Sequence, residues 1–215
     1  MSKQRSSIVI IAASLMTGYL VGCERNEPES TASSVDSAHE AKIPTDSRTT
    51  RALDLLFALF NDYRLTGGWS RAEPTLIALG GRKVDQKDLV LLGLNQGDGF
   101  GFRIVREGQT ACLVGVNTKT NSVGVVMSGA SATSHDLVRL VGKRIALERL
   151  GEESDIDQHS EVFAGWLGAD PLGLVVITTS PGVDSEPNFA SVGIADWRSA
   201  VETSPELKAV FLQRK

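Results

Sequence analysis

Gly99-Phe100-Gly101-Phe102-Arg103-Ile104-Val105-Arg106, Thr110-Ala111-Cys112-Leu113-Val114-Gly115-Val116-Asn117-Thr118 and Ser122-Val123-Gly124-Val125-Val126-Met127-Ser128 are the runs whose reading decides the fold. Each is enriched in Phe, Ile and Val, which suit a pleated, half-buried surface. Glu107-Gly108 and the polar segment Asn117 to Asn121 fall between them as turns. Short polar turns join antiparallel neighbours, because a parallel return needs a crossover of a dozen or more residues. The three runs therefore predict an antiparallel meander at the centre of the chain.

Helical spacing appears on both sides of this centre. Leu53, Leu56, Phe57, Phe60 and Tyr63 recur at steps of three and four, which predicts a helix over residues 51–65, capped by Thr50 and ended by Gly67-Gly68. A short strand is expected over Thr75 to Leu79, ended by Gly80-Gly81, whereas Gln86 to Asn95 is open between helix and strand. A helix capped by Thr133 or Ser134 buries Leu137, Leu140 and Val141. It either continues past Gly142 or gives way to a strand over Arg144 to Leu150. Ser154 to Leu167 reads as a further helix, Leu172 to Thr179 as a buried strand, and Asp196 as the start of a short helical piece. Ser204-Pro205 opens the last helix, where proline's missing N–H is harmless. Helices at both ends around a mainly antiparallel sheet make the expected class α+β. No repeat of 20–50 residues is present, which argues against a solenoid or propeller.

Leu20-Val21-Gly22-Cys23 stands after a positive start, Lys3 and Arg5, and an apolar stretch from Ile8 to Leu20. That stretch is shorter than the roughly 20 apolar residues a membrane-spanning helix needs and is interrupted by Ser14, Thr17 and Gly18. The motif resembles the lipobox of bacterial lipoproteins. The resemblance implies a diacylglycerol group on the Cys23 thiol, cleavage just before it, and usually acylation of the freed amine. Residues 1–22 are then a signal peptide. In Gram-negative members an aspartate after the cysteine favours inner-membrane retention. With Glu24 in that place, the resemblance implies the periplasmic leaflet of the outer membrane. Residues 24–50 are rich in Glu, Ser, Thr, Asp and Pro, with Val35 and Ile43 their only large aliphatic residues. Such a stretch buries too little apolar surface to offset its ordering entropy, so 23–50 is expected to be a lipidated, disordered tether. Its end-to-end distance would be about 25–30 Å. Residues 51–215 suit one domain.

Charge narrows the partners. Loss of residues 1–22 removes two cations and no acid, moving the formal charge from −4 to −6. This argues against nucleic acid, which favours a basic patch, and against further attraction to anionic lipids. With Cys23 lipidated, Cys112 has no intramolecular disulfide partner and reads as a buried small hydrophobe.

Each chemical constellation has a bland explanation. Gly97-Asp98-Gly99-Phe100-Gly101 looks like a phosphate-cradling loop, but a strand pattern follows where such a loop needs a helix start. His135-Asp136 lacks a nucleophile elbow, and neighbours on one helix start cannot converge on a serine. Asp155, Asp157, His159 and Glu161 alternate and would line one face of an extended strand, where carboxylate and imidazole can hold a divalent ion. On the expected helix they diverge and instead suit an acidic N-terminus. As a calcium loop the segment has Ser160 and Trp166 where glycine and a bidentate acid belong. Trp69, Trp166 and Trp197 read as packing.

No catalytic residue, metal ligand or cofactor is therefore expected. The reading is a non-catalytic protein-binding lipoprotein. Its partner would be a periplasmic or envelope protein, with the chain an accessory subunit of envelope or secretion machinery or an immunity or inhibitor protein. The alternatives are a tethered metal-assisted hydrolase using Asp155 to Glu161, and a small-ligand-binding lipoprotein. The irregular segment Ser180 to Pro187 is the candidate contact surface, with Asp184 and Glu186 as its charged residues. Cys23→Ser is expected to abolish palmitate incorporation and leave unprocessed or membrane-released chain. Radiolabel persisting in that variant would refute the lipobox reading.

Overall fold

Alternation along the three central runs sends successive side chains to opposite faces of a sheet, and both faces are partly covered by helices. The computed structural model describes residues 47–106, 109–130, 132–155, 158–180 and 188–212. The runs are strands β2 (Gly99–Arg106), β3 (Gln109–Asn117) and β4 (Ser122–Ser128), preceded by the two-residue β1 (Arg82–Lys83). A second set follows: β5 (Ala146–Asp155), β6 (Gln158–Leu167), β7 (Asp170–Ser180) and β8 (Phe189–Asp196). Each set is an antiparallel meander, and their last strands pair with each other. The result is one eight-stranded sheet in the order β1-β2-β3-β4-β8-β7-β6-β5. With six helices among the described residues, the class is α+β, as expected.

One face carries the main core. Val114, Val125, Val192 and Ile177 are cross-strand partners in a row and are fully buried. Over them lie helix α1 (Ser47–Thr66), through Leu53, Leu56 and Phe60, and the short α2 (Ala72–Ala78), through Leu76. Helix α4 (Ser134–Gly142) adds Leu137 and Val141. Each such side chain contributes about 1.5–3 kcal/mol relative to exposure. Thr133 caps α4 in a reciprocal box, its hydroxyl accepting from the Asp136 N–H while the Asp136 carboxylate accepts from the Thr133 N–H.

Among the described residues, helices cover the opposite face only at its two ends. Helix α3 (Gln86–Leu91) lies against β2, and Asp85 caps it by accepting from the Asp88 N–H at 3.0 Å. At the other end α5 (Trp197–Thr203) and α6 (Leu207–Leu212) bury Ala200, Leu207 and Phe211 on Val162, Ala164, Trp166 and Leu174.

Several expectations change. Thr75 to Leu79 is not a strand: it belongs to α2, because Ala72 and Leu76 bury one helical face and Pro74 occupies the first turn, where no N–H is needed. Gly80, at φ +78°, ends that helix, and the Gly81 N–H reaches back to the Leu76 carbonyl at 2.9 Å. Ser154 to Leu167 is not a helix: Ser154 and Asp155 end β5, and Gln158–Leu167 is the antiparallel β6 paired with it. Its apolar residues Val162, Phe163, Ala164 and Trp166 face both layers, so polarity does not alternate. Helix α1 is already formed at Ser47 with Thr49 buried, so Thr50 is inside it and not its cap. The open segments resolve as α3 over Gln86–Leu91 and as β5 from Ala146. Strand β8 was not anticipated.

The sheet's free edges are guarded. β1 is two residues long and basic, and β5 exposes Glu148, Arg149, Glu152, Glu153 and Asp155. Shortening the chain to begin at Ser47 is expected to leave unfolding stability within roughly 0.5 kcal/mol. Beginning at Ala52 removes the buried Thr49 and the first turn of α1, and should destabilise by about 1–2 kcal/mol in urea titrations.

Candidate functional site

Between α3 and the strands at the other end lies an uncovered groove of about 550 Å³ over β3, β4 and β8. Its floor exists because of a row of glycines. Gly101, Gly115, Gly124 and Gly193 are direct cross-strand partners from β2 to β8, and partners across a ladder share a face.

The glycines differ in what they permit. A Cβ on Gly101 would stand 2.7 Å from Leu92 Cδ1 and Val84 Cγ2. One on Gly115 would approach Leu92 and Leu94 at 3.1–3.2 Å. Those two glycines let the α3 segment sit close to the sheet. Gly124 is different: a Cβ there would meet nothing closer than the Val192 carbonyl oxygen at 3.7 Å, and its φ is not positive. Glycine inside a strand weakens it, and it marks a bulge, a tight bend or a close approach by another molecule. β4 pairs regularly with both neighbours around Gly124, so no bulge accounts for it.

The groove walls are mostly apolar. Leu113, Val126, Val176 and Phe189 border the floor, and α3 presents Val90 and Leu91, 41% and 50% exposed. Ser128 and Ser191 also line the groove, while Asn117, Ser122 and Thr178 are committed to the protein itself. Asn117 Oδ1 accepts from the N–H groups of Lys119 and Thr120, the Ser122 and Thr120 hydroxyls bond at 2.9 Å, and Thr178 bonds Ser160 at 2.9 Å. Lys87 is the single charged residue lining the groove among the described residues.

The alternating set splits. Asp157 lies outside the described residues. Asp155 pairs with Gln158 and so faces away from His159 and Glu161, whose partners are Ser154 and Glu152. The extended backbone thus brings together Glu152, His159 and Glu161, with candidate ligand atoms within 4.8 Å of one another. Arg149 bridges both glutamates, at 2.9 Å from Glu161 Oε1, and the Ser134 hydroxyl bonds Glu161 Oε2. His159 Nδ1 is 2.7 Å from the Ser154 hydroxyl. The oxygens a cation would take are already held by a guanidinium and a hydroxyl, which makes this a salt-bridge network on the α4 face. Glu152 was missed in the sequence because its partnership depends on the hairpin register.

The remaining candidates find structural roles. Gly97-Asp98-Gly99 leads into β2. The Lys119 ammonium bonds the Asp98 carboxylate and holds its pKa below the ordinary range, and the Thr118 N–H donates to the Asp98 carbonyl at 2.8 Å. His135 is exposed beside the Thr133–Asp136 cap. Cys112 is buried in the main core. Trp69 stacks on Tyr63 at 4.5 Å, while Trp166 and Trp197 both meet Phe211 on the other face. Cys23, Asp184 and Glu186 lie outside the described residues. The segment holding the latter two leaves β7 at Ser180 and returns at Phe189, which lines the groove.

Comparison of the chain with protein-family models, with curated proteins and with solved structures gives no match. Arg149→Met leaves two glutamates facing each other without their cation, one of them with its side chain 13% exposed, and should destabilise by about 1–2 kcal/mol. Zinc titration of the wild type should leave its thermal midpoint unchanged; a midpoint rising with zinc would instead show that the carboxylates are available to metal.

Proposed function

We propose that this chain is a lipid-anchored, non-catalytic binding protein of the periplasmic leaflet of the outer membrane, and that its ligand seats in the groove over β3, β4 and β8. The observation that carries the reading is Gly124. It sits in a central strand, where glycine is destabilising by roughly 0.5–1 kcal/mol relative to alanine, and among the described residues neither its backbone nor any neighbour requires it. A bound molecule lying on the backbone supplies the reason. A groove of about 550 Å³ falls within the range of roughly 300–1,000 Å³ that holds small ligands. The floor strands β4 and β8 are paired on both sides, so the groove is built on the centre of the sheet.

The half-exposed Val90 and Leu91 on the rim favour a second reading, in which a protein partner from the envelope places an apolar segment in the same groove. Both readings share one contact surface. They separate by what is recovered with the protein from intact envelopes: a co-purifying chain supports the partner, an extractable small molecule the ligand.

Gly124→Ala is expected to raise stability by about 0.5–1 kcal/mol. Gly124→Leu fills the groove and should eliminate recovery of whichever molecule co-purifies, with the cooperative unfolding transition kept. Undiminished recovery with Gly124→Leu would place the contact elsewhere.

A further inference from the structure

We infer that the groove takes a single-chain anionic amphiphile, a long alkyl chain ending in a carboxylate, with the carboxylate against Lys87; this rests on the groove being the binding site. Three features of the lining converge on that chemistry. The first is charge. The chain carries a formal −4, yet among the described residues Lys87 is the one ionisable side chain lining the groove and no acid lines it. Among the described residues its ammonium has no ion-pair partner, unlike Arg103 on the far side of α3, which is paired with Asp88. One ammonium at the rim of an apolar trough matches one negative charge at the end of an apolar body.

The second feature is that the floor offers few hydrogen bonds. β3, β4 and β8 are each paired on both sides, so their backbone groups are already spent in ladders. Of the polar lining groups, Asn117 Oδ1, Ser122 and Thr178 are bonded to the protein itself, which leaves the Ser128 and Ser191 hydroxyls as short, scattered donors. An extended peptide laid here would bury its own N–H and C=O groups without partners, at a penalty of several kcal/mol or more. An alkyl chain brings no such groups.

The third is the order of residues along α3. Lys87, Val90 and Leu91 stand at steps of three and four and share one helix face, so the charge and the apolar rim are neighbours on one line. A molecule anchored at Lys87 runs past Val90 and Leu91 onto Gly124 and Gly193, where the backbone is bare.

The test uses the lipidated full chain in phosphatidylcholine vesicles, photolabelled with a diazirine-bearing palmitate or with the matching diazirine hexadecanol, and mapped by mass spectrometry. Palmitate labelling is expected on the peptides of α3 and β4 and to be displaced by unlabelled palmitate. Lys87→Gln should weaken the palmitate competition roughly three- to fivefold, the scale of one partly exposed charge pair, and leave hexadecanol unaffected. Gly124→Leu should remove both labels. Equal labelling by both probes, unchanged in Lys87→Gln, would overturn the anionic head while the groove stands as a site for apolar ligands. Labelling that ignores Gly124→Leu, or that spreads over the surface without saturating, would overturn the amphiphile site itself. If neither probe labels while a protein still co-purifies and is lost in Gly124→Leu, the amphiphile is overturned and the binding function is not.

Discussion

The antiparallel ladder between β4 and β8 is the constraint from which the rest of the architecture follows. Seven residue pairs, from Ser122 with Ala195 to Ser128 with Phe189, join two meanders that each would otherwise end in an unpaired strand. Joining them creates a sheet whose centre has no edge but has two large faces. On the first face the alternate residues Val123, Val125 and Met127 of β4 and Ala190, Val192 and Ile194 of β8 are all buried, and the long α1 lies across them. That layer holds most of the apolar burial and fixes the register, since a slip of one residue would turn every one of these side chains to the other side.

The second face shows what short helices can and cannot do. α3, α5 and α6 have six, seven and six residues. At about 1.5 Å per residue they are roughly 9–11 Å long, whereas eight strands at about 4.8 Å spacing spread over more than 30 Å. Such helices can cover the ends and not the middle. Where α3 does sit, glycines at 101 and 115 make room for it. Where nothing sits, Gly124 and Gly193 leave the floor bare. The groove is thus the part of the second face that the helices of the described residues do not reach.

How much of this was legible follows from the kind of signal each element carries. β2, β3 and β4 announce themselves because valines and phenylalanines recur between polar turns, and α1 because Leu53, Leu56 and Phe60 share a helical face. β8 is silent because, after Phe189, its groove-side residues Ser191 and Gly193 are too small to register as an apolar pattern. β6 was mistaken for a helix because it is buried on both faces, so that Val162, Phe163, Ala164 and Trp166 show no alternation. Among the described residues of the acidic alternation before them, only His159 and Glu161 share a face of one strand, and Asp155 belongs to the preceding strand on the other face. The pairing of Gly115 with Gly124 follows from the turn at Asn117 to Asn121, but the row becomes a floor only once β8 adds Gly193, a contact spanning some 70 residues of sequence. Long-range pairing of this kind leaves no local trace.

The guarded edges have a bearing on crowding. A chain tethered to a membrane, as proposed here, shares a thin layer with its copies and meets them far more often than it would when free in solution. Open sheets in such a layer are templates for one another, since an unpaired strand offers a row of donors and acceptors. Here the outermost long strand offers Glu148, Arg149, Glu152, Glu153 and Asp155 to any copy that approaches, and the opposite edge begins with Arg82 and Lys83. Each alignment that would extend the sheet must first strip water from several charges. In such a layer, edge-to-edge growth of the sheet carries a desolvation cost at both of its ends.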